Sequence, residues 1–177
     1  MNLEIAFLEH AQGDEYERVL LVGDHRAAGE AVASVEITDG IRNVLRIDIA
    51  EACESRCFQD ARVIGNKAFI GFGGRVIVID VLTHHVTTHA VDGYFGHFFD
   101  AEELDYSIDD FALLAGSASE LLAFDLNGEL LWKTSQLGID GVLVHKVSPT
   151  RIEGSGEWDP PGGWRPFVLT PTTGERG

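Results

Sequence analysis

Phe69-Ile70-Gly71-Phe72-Gly73-Gly74-Arg75-Val76-Ile77-Val78-Ile79-Asp80-Val81-Leu82-Thr83 reads as a strand, a glycine turn, an apolar strand and an aspartate that ends it. With one-residue gaps, Leu113-Leu114-Ala115-Gly116-Ser117-Ala118-Ser119-Glu120-Leu121-Leu122-Ala123-Phe124-Asp125-Leu126-Asn127 repeats the pattern. The middle runs, 76–79 and 121–124, are apolar at consecutive positions. Successive strand side chains point to opposite faces, so such a run suits a strand covered on both sides. The closing aspartate accepts N–H groups of the next turn. A third copy runs through 152–156, a long loop and 166–175, and a fourth lies at 44–51. Asp48, Asp80, Asp125 and Thr170 then stand 32, 45 and 45 residues apart, the range of a four-stranded sheet repeat.

Working outward, period-2 patterning and turn residues predict strands at 3–8, 18–22, 31–37, 43–48, 61–64, 67–72, 75–80, 86–91, 111–115, 120–125, 129–132, 141–147, 151–154 and 165–169. Gly65-Asn66, Gly73-Gly74 and Asn127-Gly128 mark tight turns, because these residues accept positive φ at little cost. Helix is expected only at 49–57 and for one turn within 101–105. The expected fold is one all-β domain over residues 1–177, built of antiparallel sheet repeats in a small or partial β-propeller-like array.

Ala123-Phe124-Asp125-Leu126-Asn127-Gly128-Glu129-Leu130-Leu131-Trp132 resembles the blade signature of quinoprotein-type (PQQ-like) β-propeller repeats. In those repeats an Ala-x-Asp strand end leads through a glycine turn to a tryptophan that docks between blades. The other copies carry His or Val near Val86 at the tryptophan position, and Thr170 in place of Asp. The resemblance implies architecture alone. No cofactor-binding residue of the family has a counterpart here, so no cofactor is expected.

Charge narrows the partners. Thirteen Lys+Arg against 29 Asp+Glu give a formal net charge of −16. Nucleic acid and anionic membranes would be repelled, and a basic protein would be steered in. The first ten residues carry Glu4 and Glu9 and no basic cluster, so no secretion signal is expected. The most continuous apolar run, 76–79, is strand-sized, and a cytoplasmic, soluble protein is the expectation. Cys53 and Cys57 are read as reduced thiols, since no second pair follows to complete a zinc site.

Catalytic motifs find little support. Gly71, Gly73 and Gly74 are followed by a strand rather than Gly-Lys-Ser/Thr and a helix, which makes them a hairpin turn instead of a phosphate loop. Gly154-Ser155-Gly156 and Gly116-Ser117-Ala118-Ser119 lack the spacing of a nucleophile elbow. His84, His85 and His89 are read as solvent-exposed turn residues, and no metal site is expected.

Two regions carry the candidate binding residues. In the first, the aromatic stretch 94–99 with Tyr94 and His97 precedes an acid-rich run at 100–110 that includes Glu102 and Glu103. A solvated loop is one reading. The other is a site for a basic protein, in which carboxylates speed association and aromatics supply contact area. The second is the hairpin tip 157–166, stiffened by two prolines, with Trp158, Asp159 and Trp164. Its indoles either clamp each other or form a platform for a sugar or peptide.

The leading expectation is a non-enzymatic protein-binding module, of immunity or inhibitor type, that neutralises a basic partner. The alternative is a carbohydrate-active or small-ligand-binding protein using the Trp158–Trp164 loop with Glu153, Glu157 or Asp159 as acids. A third reading is a homodimer, in which incomplete propeller halves pair edge to edge.

Overall fold

The computed structural model describes residues 3–9, 16–23, 31–50, 58–104 and 111–177. Fifteen strands and one helical turn are named among them, so the all-β expectation holds. The first sheet holds β1 (Glu4–Phe7), β2 (Arg18–Gly23), β3 (Ala33–Thr38) and β4 (Asn43–Ala50), in the order β1-β3-β4-β2. Here β2 runs parallel to β4. The later sheets are simple antiparallel meanders. The second is β5 (Gln59–Ile64), β6 (Lys67–Phe72), β7 (Arg75–Asp80) and β8 (Val86–Ala90). The third is β9 (Phe95–Asp100), β10 (Leu113–Ser117), β11 (Leu121–Phe124) and β12 (Leu130–Thr134). The fourth is β13 (Val142–Ser148), β14 (Arg151–Glu157) and β15 (Trp164–Leu169).

Side-chain alternation makes these sheets successive layers. On β6, Ala68, Ile70 and Phe72 join Val35, Ile37 and Ile47 of the first sheet, while Phe69 points the other way, into a cluster with Phe98, Leu122 and Phe124 of the third. On β11, Leu122 and Phe124 face the second sheet, and Leu121 and Ala123 face Val144, Ile152 and Leu169 of the fourth. Three apolar cores therefore fill the three gaps between consecutive sheets. This is the physical reason that 76–79 and 121–124 are apolar at every position: the inner strands of the two middle sheets, β6, β7, β10 and β11, are covered on both faces, while β8 and β12 are partly exposed. At about 25 cal/mol per Å² of apolar surface removed from water, these cores are the main favourable term in folding.

The 45-residue period has a direct counterpart. Asp80 is the last residue of β7, and Asp125 and Thr170 immediately follow β11 and β15, each of these being the third strand of its meander. Asp80 Oδ1 accepts the N–H groups of Leu82 and Thr83, at 3.0 and 2.7 Å. Asp125 Oδ1 accepts those of Asn127 and Glu129, both at 2.8 Å. Trp132 is buried between the third and fourth sheets and donates its indole N–H to the Pro171 carbonyl at 2.7 Å.

Asp48 is a correction. It lies inside β4, which continues through Ile49 and Ala50 beside Val22 and Gly23. Its carboxylate takes the Ser34 hydroxyl at 2.7 Å and the Arg46 guanidinium at 2.8 Å, so it ends no strand and the fourth copy is not a repeat of the same kind. The strand β9 was not expected from the sequence. Of the expected helix at 49–57, Ile49 and Ala50 are strand, and the rest, with Cys53 and Cys57, lies outside the described residues. The turn expected within 101–105 is α1 (Ala101–Leu104). His89 lies on the expected strand, β8, but departs from the exposed reading: it is half-buried with its ring edge-on to Phe124, 5.2 Å between centroids.

Candidate functional site

The site begins with a bulge. His97 pairs with Gly116 and Phe95 with Ser117, leaving Gly96 as an extra residue in β9. That extra residue breaks the alternation, so Phe95 and Phe98 both enter the core against the second sheet. His97 turns to the opposite side beside Phe99, with their ring centroids 4.9 Å apart. Asp100 then accepts the Glu103 N–H at 2.9 Å, which caps α1 and brings the Glu103 carboxylate back over His97. The imidazole lies between two acids. Its Nε2 is 3.2 Å from Glu103 Oε1 and its Nδ1 is 3.7 Å from Asp60 Oδ2. Arg62 bridges Asp60 and Asp100, tying the second sheet to the third below the histidine.

The two sequence regions meet here. Tyr94, His97 and Glu103 of the first region and Trp164 of the second line one groove of about 590 Å³, at the ends of the third and fourth sheets. Phe58 stacks on Tyr94 at 5.6 Å between centroids, and the Tyr94 hydroxyl lies 2.7 Å from the Asp140 carbonyl and 2.9 Å from its carboxylate. Glu157 sits opposite Trp164 in the β14–β15 register, and its Oε1 accepts the Gly162 N–H at 2.5 Å. His145, the extra residue of a bulge in β13, adds an imidazole 2.7 Å from the Ser155 hydroxyl.

The groove thus carries the carboxylates of Glu103, Asp140 and Glu157 beside four aromatic rings, those of Phe58, Tyr94, Phe99 and Trp164. No lysine or arginine among the described residues lines it. Such a surface favours a cation with an apolar stem, which gains from carboxylates at its head and ring faces along its length. Phe58, Asp140 and His145 were not among the residues the sequence singled out. The remaining expected residues go elsewhere. Trp158 is one position beyond Glu157, so its indole leaves by the other face of the hairpin and lines a second cavity. The two indoles do not clamp each other. Asp159 is exposed at the loop tip and lines neither cavity. Glu102 belongs to α1, and the acidic residues 105–110 lie outside the described residues.

Among the described residues, no group of three His, Cys, Asp or Glu side chains is placed to hold a metal ion. No described helix is long and apolar enough to cross a membrane. Comparison with known proteins returned no matching family model, curated sequence or solved structure.

Proposed function

We propose that this chain is a cytoplasmic, non-enzymatic binding module that captures a basic segment of a partner protein in the groove between its third and fourth sheets, in the manner of an immunity or inhibitor protein. One observation carries the reading: three carboxylates and four aromatic rings converge beside two imidazoles, with no lysine or arginine among the described lining. A net charge of −16 would draw a cationic surface in from a distance, and the rings would supply contact area once it arrives. The sheets are read as blades of the kind that the stretch ending at Trp132 resembles, with the groove at a junction between two of them.

The carbohydrate-active alternative draws less support. Glu153 and Glu157 stand four residues apart on one strand face, which separates their backbones by about 13 Å, wider than the roughly 5 to 10 Å of a glycosidase pair. Titration with a hexa-arginine peptide tests the proposal. Binding that weakens at least about tenfold as salt rises from roughly 50 to 500 mM supports capture by charge. Binding indifferent to salt, or no binding at the lower salt, overturns it.

A further inference from the structure

The second cavity, of about 610 Å³, lies on the opposite face of the same hairpin from the groove. We infer that it is a binding site for a neutral saccharide, with Trp158 as the stacking platform and Asp92, Ser135 and Gln136 as partners for sugar hydroxyls.

The lining decides the class of ligand. No lysine or arginine is among the described lining residues; the Arg165 and Arg176 guanidinium groups border the cavity but are engaged with the Trp158 ring and the Gln136 carbonyl. The one carboxylate among the described lining, Asp92, accepts the Ser119 hydroxyl at 2.8 Å, and a carboxylate's further acceptor sites suit a ligand hydroxyl. A wholly apolar ligand would strip water from Asp92, Ser135 and Gln136 without replacing those hydrogen bonds. A pyranose satisfies both demands. Its C–H face packs on an aromatic ring and its hydroxyls donate and accept in pairs.

The platform and its neighbour are held in place. The Arg165 guanidinium lies 5.5 Å from the centre of the Trp158 ring, bracing it by a cation–π contact. The Trp158 backbone N–H donates to the Gly163 carbonyl at 3.0 Å. Gln136 has φ 60, one of two non-glycine residues with positive φ among the described residues. Its carbonyl accepts from the Arg176 guanidinium. A glutamine held in the left-handed region carries strain that a glycine would relieve, and such strain concentrates where a side chain is aimed at a ligand. Trp158 and Trp164 serve different cavities, so this inference stands or falls apart from the groove.

Saturation-transfer NMR and tryptophan fluorescence with maltose, cellobiose and N,N′-diacetylchitobiose test it. At least one of them is expected to bind with a dissociation constant on the order of 1 mM. Trp158→Ala should weaken that binding about tenfold or more, and Trp164→Ala should leave it unchanged. Gln136→Gly removes the amide and relieves the backbone, so it should weaken binding roughly three- to tenfold while the melting temperature holds or rises. A merely structural glutamine would give no change in binding. The inference is overturned if none of the three sugars binds at concentrations about twentyfold above that constant, if Gln136→Gly leaves binding intact, or if Trp158→Ala folds and binds as the parent does.

Discussion

Gly71→Ala tests the stacking of the second sheet on the third. Gly71 lies on β6 opposite Val76, on the face that carries Phe69 toward the third sheet. A Cβ built there falls under 3.0 Å from Cζ, Cε1 and Cε2 of Phe95, whereas relaxed carbon contacts lie near 3.5 to 4.0 Å. The ring has no room to retreat. Phe95 is fully buried, and Phe98 packs on it with centroids 4.7 Å apart. Overpacking at such a site costs about 1 to 3 kcal/mol, read as a lower urea midpoint at unchanged slope. Phe95→Leu alone trims the ring and leaves a gap, which costs a comparable amount. In Gly71→Ala/Phe95→Leu the new methyl occupies space the ring has vacated, so the double variant should be more stable than the sum of the singles by about 1 kcal/mol or more. Strict additivity, or a Gly71→Ala variant as stable as the parent, would refute face-to-face packing of these two sheets.

Other outcomes follow from particular contacts. Trp132→Phe keeps most of the ring in the third core but removes the N–H from the Pro171 carbonyl, and should lower stability by about 1 to 2 kcal/mol in urea unfolding. The Lys67 ammonium and the Thr83 N–H hold the Asp80 carboxyl well below the usual carboxylate range. Its contribution is therefore complete above pH 3.8 and lost as pH falls below that, so Asp80→Asn should destabilise the protein at pH 7 and differ less from the parent in stronger acid. Burial pushes the His89 imidazole below its ordinary value of 6.5. The unfolded chain takes up that proton first, so stability falls as pH drops below 6.5, and His89→Phe should flatten this part of the melting-temperature profile.

The second, third and fourth sheets were legible because their strands are short, turn-bounded and, in β7 and β11 of the middle two, apolar on both faces. The strand β9 was not legible. In Phe95-Gly96-His97-Phe98-Phe99 the bulge at Gly96 puts Phe95 and Phe98 on one side, which erases the period-2 signal that strand detection depends on. Asp48 misled for a related reason: an aspartate after an apolar run looks the same whether it caps a turn or is satisfied in mid-strand by Ser34 and Arg46. The candidate site was half legible. Aromatics beside acids flagged Tyr94, His97, Glu103 and Trp164, but that they share a groove depends on the packing of the third sheet on the fourth, a contact distant in sequence. Asp140 and Phe58 gave no local signal at all, since each stands alone in an ordinary stretch. The divergence of Trp158 from Trp164 follows from strand parity once Glu157 is known to pair with Trp164.

The most direct test of the groove is a chemical-shift map of the protein titrated with the hexa-arginine peptide at low salt. The shifts should concentrate on Tyr94, His97, Asp140, Glu157 and the Trp164 indole, and Glu103→Gln/Glu157→Gln should weaken binding about tenfold or more. Shifts scattered over acids far from the groove, such as Glu4 and Glu36 of the first sheet, with the double variant binding as the parent does, would show diffuse attraction to an acidic protein and contradict a built site.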